Sequence, residues 1–340
     1  MITGNRARTS SVRMEDVARR ARVSTTTVSR ALRTPGKVSY LTRRRVVRAM
    51  RETGYVQNLV AGSLASNRTN VIAAIVPSLD HPAWGKAIAA TAEVLRANGF
   101  HLLIGEGSFS IAEEEDLIEA FLGRRPDGIL LHGRHHSPRA MRLLRGAGIP
   151  IVELGELKGR PLDMVASFSN FDAGKALTSY LLDRGYKRIG MVSLPRQVNQ
   201  RHYQRWRGYR AALRERRRAG VDSLTVETTL DYRKGAEALL ALLDRAPHTD
   251  AVFFTNDVLA AGALFECSRR GWSVPGRIAV AGFGDQAIAS EVVPALTTVH
   301  IPREEIGALA GRMLLDRANG KTVLPKVVDV GFRVVKRESA

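Results

Sequence analysis

The chain has 340 residues, 44% of them hydrophobic, with 52 Lys+Arg against 33 Asp+Glu and a single cysteine, Cys267. That length allows more than one domain and that apolar content a real core, while one cysteine excludes a disulfide framework and a cysteine-based zinc site. No apolar run reaches the roughly 18 residues of a membrane span, and MITGNRARTSSVRMEDVARR holds no apolar signal-peptide core, so the expectation is a cytoplasmic protein with no membrane partner.

The net charge of +19 is unevenly placed. Residues 1–70 carry fifteen Lys/Arg and three Asp/Glu, a net +12, and the remaining residues thirty-seven and thirty, a net +7. A basic module of this size is an electrostatic footprint for a phosphate backbone.

In chain order, residues 1–12 form a basic arm, and three short helices are predicted behind it. Met14–Ala21 puts Met14, Val17, Ala18 and Ala21 on one face. After a tight turn at 22–24, Thr25–Leu32 turns Val28, Ala31 and Leu32 inward, and Pro35-Gly36 breaks it. Leu41–Thr53 buries Val46, Val47 and Met50, and Gly54 stops it. The segment 58–66 is a link to the rest.

From Val71 onward, apolar runs alternate with amphipathic stretches. Strands are predicted at 71–76, 101–105, 128–133 and 150–155. The series restarts after Phe168 with 188–193, 224–230, 251–256 and 278–283. Helices fit at 85–98, 173–185, 233–245 and 257–271. Near-continuous apolar strands alternating with helices imply parallel sheets covered by helices, here in two α/β lobes. A ligand in such a fold sits beyond the carboxyl ends of the strands, which places it between the lobes.

The segment MEDVARRARVSTTTVSRAL, residues 14–32, offers a support helix, a sharp turn and a second helix led by small polar residues. That is a helix-turn-helix, whose second helix enters the major groove of double-stranded DNA. Thr25 and Thr26 are short enough for close approach. Thr27 serves either the helix cap or a phosphate contact. Arg30 lies one turn beyond Thr26, and arginine is the commonest reader of guanine.

These residues resemble the lactose-repressor (LacI) family of regulators. The likeness is carried by DVARRARVSTTTVSRAL and the helix ending GYVQN. It extends through FTNDVLAAGAL (254–264), VPGRIAVAGFGD (274–285) and PALTTVHIPREEIG (294–307). Within the family, NFDAGKA, FFTNDVLAAGALFE and VDVGFRV are nearest to gluconate-operon repressors. The resemblance implies an α-helical DNA-binding domain over 1–57, a hinge helix over 58–69 and an effector domain of periplasmic-binding-protein-like, two-lobed α/β fold over 70–340. Its lobes would span 70–168 plus about 300–325, and 169–299 plus about 326–340. It also implies a transcription regulator of carbohydrate genes, acting as a repressor and homodimer on operator DNA and controlled by a small-molecule effector. The hinge would place Asn58 at the DNA and wedge Leu64 into the minor groove. Gln57 stands where family members often have proline, and Gly62 weakens the hinge helix. The ending VVDVGFRVVKR lacks the leucine-heptad tail of a tetramer, so a dimer is expected.

Carried over position by position, the effector residues are Trp84, Arg134, Arg205, Tyr232, Asn256, Gly284 and Asp285. Arg205 in RWRGY offers a guanidinium fork for hydroxyls or a carboxylate. Many relatives with neutral ligands carry aspartate where this chain has Gly284, so the expected effector is a sugar acid such as gluconate. A neutral sugar or a nucleobase is the alternative within the same family. The pattern Gly282–Ala287 is too weak for a dinucleotide site. His132, His135 and His136 read as a polar loop rather than a metal site, Arg214–Arg218 as a solvated helix end and Cys267 as buried filler. There is neither a nucleophile elbow nor a phosphate loop, so no enzyme, metal or cofactor is expected.

Overall fold

The computed structural model describes residues 12–56, 68–79, 82–157, 159–197, 199–216 and 224–340, and the chain divides into two compact units at Thr69/Asn70. Asn58 and Leu64 lie outside the described residues.

In the first unit each helix starts and stops where local chemistry dictates. Helix α1 (Met14–Ala21) ends at Arg22, which adopts the left-handed conformation with φ 53°. Helix α2 (Thr25–Arg33) is capped by Ser24, whose Oγ accepts from the Thr27 backbone N–H at 3.2 Å. Helix α3 (Tyr40–Thr53) is capped by Ser39 and stopped by Gly54, φ 69°. Each such cap is worth about 1 kcal/mol. The core is Val17, Ala18, Ala21, Val28, Ala31, Val46 and Ala49. Val47 was expected inside and is instead 38% exposed. It follows Val46 by one residue, so the helical rotation carries it off the buried face, which Ala49 fills.

The second unit holds two parallel sheets. The first lobe runs β1 (Val71–Val76), α4 (Pro82–Ala97), β2 (His101–Glu106), α5 (Ile111–Leu122), β3 (Gly128–His132), α6 (Pro138–Gly146), β4 (Ile151–Leu154) and β5 (Met164–Ser167). The second runs α7 (Asn170–Asp183), β6 (Ile189–Ser193), α8 (Gln200–Glu215), β7 (Thr225–Glu227), α9 (Tyr232–Arg245), β8 (Ala251–Phe254), α10 (Asp257–Arg269), β9 (Ala279–Ala281) and α11 (Ile288–Glu291). The chain then passes through β10 (Thr298–His300) to α12 (Arg303–Ala318), β11 (Val327–Asp329) and β12 (Arg333–Val335). The strand orders are β11-β5-β4-β3-β1-β2 and β7-β6-β8-β9, with β10 and β12 paired antiparallel between them.

Three connections therefore join the lobes. The last differs from the sequence-based boundary, because β11 pairs in parallel with β5 and extends the first lobe's sheet through Asp329. Only 330–340 return to the second lobe, where the Ser339 carbonyl accepts from Val280 N–H. The predicted strand 224–230 shrinks to 225–227 at a sheet edge, where one neighbour supplies all its ladder bonds.

One close approach positions the site. A Cβ on Gly208 would lie 2.0 Å from the Phe171 carbonyl oxygen, and one on Gly174 2.5 Å from that of Arg205. The two glycines let α7 and α8 cross backbone to backbone, which sets Asn170 beside Arg205. Among the described residues, no helix is long and apolar enough to cross a membrane.

Candidate functional site

The cleft lies where the strands of both sheets end. Val76 closes β1, His132 closes β3, Gly155 follows β4, Ser167 closes β5 with Phe168 after it, and Leu194, Asn256 and Phe283 follow β6, β8 and β9. This is the place an open α/β sheet reserves for ligands. The cavity volume here is about 70 Å³.

Three arginines line it: Arg201, Arg205 and Arg303. Arg205 is buried on the second turn of α8. Its Nε donates to Asn170 Oδ1 at 2.9 Å and its Nη1 to the Thr255 carbonyl at 2.7 Å, and the guanidinium lies 3.8 Å from the Phe283 ring centroid. Arg201, one turn earlier on the same face, spans the lobes. Its Nη1 is 2.6 Å from His132 Nδ1, and its guanidinium sits 4.6 Å from the centroid of the Trp84 ring. Arg303 opens α12 and donates to the Gly284 carbonyl. Among the described residues, no carboxylate lies within ion-pair distance of any of the three.

Burial governs their electrostatics. It pulls Arg201 down to about 10. It holds Arg205 well below the usual guanidinium value, with Arg201 and Arg303 adding like-charge repulsion. Arg303 is lowered by burial too, although Asp257 opposes the shift. Asp257 is itself raised by burial, and its carboxylate accepts from Thr298 Oγ1 at 2.6 Å and Gln286 N–H at 2.7 Å. The cleft is a cation-rich chamber lined by the rings of Trp84, Phe168 and Phe283.

The residues expected from the sequence divide into two groups. Trp84, Arg205 and Asn256 line the cleft. Asn256 also caps α10, its Oδ1 accepting from Val258 N–H at 2.9 Å, and this leaves its neighbour Asp257 to face Thr298 rather than cap. Of the other four, Arg134 lines an adjoining part of the cleft, and Tyr232, Gly284 and Asp285 do not line it. Tyr232 is 43% exposed at the start of α9, with its ring 6.0 Å from that of Phe265, because α9 turns this first residue toward α10 and away from the strand ends. Arg134 is turned back by Glu153, its Nε 3.6 Å from Oε1, and by the Leu157 carbonyl at 2.9 Å from Nη1. Gly284 meets the site through Arg303. Asp285 faces the segments that connect the lobes, with Oδ2 2.8 Å from His300 Nδ1 and Oδ1 2.7 Å from Arg337 Nη2.

The sequence did not single out Arg201, Arg303, His202 or Asn199, and it set His132 aside as part of a polar loop. Arg201 was within reach, since it stands four residues before Arg205 and so shares its helical face. Arg303 has no local signal, for only the crossing through β10 brings it to the loop at 284.

In the first unit, Thr25, Thr26 and Arg30 are exposed along α2. Thr27 is half-buried, its Oγ1 2.9 Å from Ser24 Oγ, so its hydroxyl belongs to the cap.

A helix-turn-helix unit on one chain with a two-lobed, binding-protein-like unit defines a DNA-binding regulator. Residues 13–58 match the model for bacterial regulatory proteins of the lacI family, and residues 178–340 that for a periplasmic binding protein-like domain. The HTH-type transcriptional regulator GntR of Pseudomonas aeruginosa is 40% identical over 329 residues, 96% of this chain and 95% of that protein. GntR of Escherichia coli (strain K12) is 34% identical over 321 residues, 94% and 96% of the two chains. The crystal structure of a LacI-family transcriptional regulator from Silicibacter pomeroyi superposes with a TM-score of 0.90 at 31% identity, covering 96% of this chain and 99% of that one. The chain belongs to the lacI family of bacterial regulatory proteins and is a DNA-binding transcriptional regulator resembling the GntR proteins.

Proposed function

We propose that the protein represses carbohydrate genes as a homodimer on operator DNA, and that a sugar acid of the gluconate type, bound between the lobes, controls its grip. One observation carries the choice of ligand: three arginines, Arg205 buried and Arg201 and Arg303 half-buried, converge on the cleft with no described carboxylate at ion-pair distance. A buried charge without a partner is costly, and an anionic ligand supplies the partner. Asn256, Asn199 and His202 add hydrogen-bonding groups for hydroxyls.

On the DNA side, Thr25, Thr26 and Arg30 present the reading edge of α2, and two copies related by a two-fold axis read half-sites about one helical turn apart. Arg30→Ala is expected to cost ~1–3 kcal/mol at one base pair per half-site. An unchanged ratio of operator to scrambled-DNA binding removes Arg30 from the readers.

The ligand test is thermal stability with gluconate, glucose, ribose and a purine. An effector at a hundred times its Kd adds about 2.7 kcal/mol. Gluconate is expected to raise the melting temperature, and Arg205→Ala to abolish the rise. Stabilisation by glucose or ribose and by no acid refutes the sugar-acid reading.

A further inference from the structure

The outer flank of α8 carries rings and guanidiniums that take no part in lining the cleft. Tyr203, Trp206 and Arg210 follow one another at three and four residues and so share a helical face. The Tyr203 and Trp206 rings stack with centroids 5.7 Å apart, and the Arg210 guanidinium lies 4.5 Å from the Trp206 centroid. Arg196 joins them from outside the helix, its guanidinium also 4.5 Å from that centroid.

Arg196 belongs to the short segment between β6 and α8, and that segment serves the cleft. Leu194 and Asn199 on it line the chamber, as does Arg201 in the first turn of α8. Neither helix nor strand ladder holds the segment, so side chains must hold it. Arg196 is gripped from two sides. On the sheet side its backbone N–H and its Nε both donate to Glu227 Oε1 on β7, the first at 3.2 Å. On the helix side it meets Trp206, and tryptophan is the best ring for a cation–π pair.

Tryptophan stands here at a cost. Its Nε1 is buried and meets no acceptor among the described residues, and a buried donor without a partner is unfavourable. Leucine or phenylalanine would pack beside the same core without that penalty. What the indole adds is a π-face broad enough to meet Arg196 and Arg210 at once.

We propose that Trp206 is a positioning residue for the effector. With Arg196 it clamps the segment between β6 and α8 to the helix. The clamp sets Leu194 and Asn199 on the cleft wall, and Asn199 in turn accepts from Arg201 Nε at 3.4 Å. This rests on the sugar-acid reading above.

Three variants of the full chain separate a clamp from mere packing. Trp206→Leu keeps an apolar side chain, Trp206→Phe keeps a π-face, and Arg196→Gln removes the cation. Each is titrated with gluconate by calorimetry, and each is followed without ligand by hydrogen exchange of the peptide that carries Arg196 and Asn199. Trp206→Leu and Arg196→Gln are each expected to weaken gluconate on the order of fivefold, the worth of one cation–π pair, and to speed the exchange. Trp206→Phe is expected to recover most of both. The double variant should lose less than the sum of the two single losses, because the residues share one contact. Unchanged gluconate affinity in Trp206→Leu and Arg196→Gln overturns the positioning role, even where exchange is faster. A phenylalanine variant as weak as the leucine variant, or losses that simply add, overturns it too. If Trp206→Leu does not fold, Arg196→Gln at its half-buried position decides alone by the same two measurements. A wild type that binds no gluconate overturns the sugar-acid reading and the positioning role with it.

Discussion

The guanidinium of Arg303 donates to the Gly284 carbonyl, and a Cβ on residue 284 would lie 3.0 Å from Arg303 Nη2. Gly284 has φ 132°, a conformation that L side chains rarely adopt. The glycine and the arginine thus depend on each other: the loop can come this close to Arg303 only without a side chain.

Gly284→Asp tests that dependence. The backbone strain alone costs roughly 1–3 kcal/mol, and the new carboxylate would pair with Arg303 and neutralise one wall of the cleft. The expected outcome is a lower melting temperature and a loss of gluconate affinity of at least about tenfold, about 1.4 kcal/mol. Glucose binding should change far less. Equal losses for acid and neutral sugar would show that only the loop's shape was damaged.

Asp285 is expected to act on the connections between the lobes, at His300 and Arg337, rather than on the ligand. Burial raises its carboxyl, but the bonds from Arg337 and His300 outweigh that and hold it below the ordinary value. A lowered carboxyl contributes stability that is fully present above its ordinary range and is lost as the pH falls below that range and through the lowered folded-state value. Asp285→Ala removes both bonds, which tie β10 and the chain after β12 to one loop. The expected cost is about 1–3 kcal/mol, read as a lower melting temperature at pH 7, with the gluconate-induced rise retained. A vanished rise with unchanged stability would return Asp285 to the ligand.

Periodicity made most of the fold legible, and the exceptions have physical causes. The apolar strands 71–76, 128–132 and 251–254 are buried on both faces, so their sequences announce them. β5 (Met164–Ser167) was not anticipated. It is four residues long and ends in serine, and its burial comes from lying between β4 and β11. The site was harder to read, because α8 carries arginines all round. Arg205 and Arg201 turn inward while Arg207 faces solvent, and this depends on the crossing with α7. Asp285 and Gly284 are neighbours in sequence with separate tasks, since the positive φ at both residues turns the chain between them.

Stability on the alkaline side should report on His136. Burial lowers this imidazole, but hydrogen bonds and charges from Glu114 and Glu153 outweigh burial and raise it to about 9. Glu114 Oε2 is 2.9 Å from Nδ1, and Glu153 Oε1 is 3.6 Å from Nε2. A raised value means the contribution is complete below the ordinary imidazole pKa near 6.5 and is lost as the pH climbs through about 9. The contribution is on the order of 3 kcal/mol. The melting temperature should fall between pH 7 and 9.5, and His136→Gln should start lower and remove most of that slope. The same slope in the variant would place its origin elsewhere.

The last prediction concerns the cost of keeping the cleft cationic. Arg201 is half-buried, pulled down to about 10, and still charged at pH 7. Its hydrogen-bond and ring neighbours are His132, Asn199 and Trp84, and the charge of Glu156, which lies beyond ion-pair distance, opposes its desolvation without outweighing it. Arg201→Met keeps the length and the contact with Trp84 while removing the charge. Replacing buried ionic groups with apolar residues of similar volume is often neutral or stabilising by about 1–4 kcal/mol. The ligand-free variant is therefore expected to melt at or above the wild-type temperature. The gluconate-induced rise should shrink sharply, because one of the three cations facing the carboxylate is gone. Scanning calorimetry of both proteins, with and without saturating gluconate, separates the two effects. A variant that melts well below the wild type yet keeps its full gluconate response would make Arg201 a structural tie between the lobes and not a ligand group.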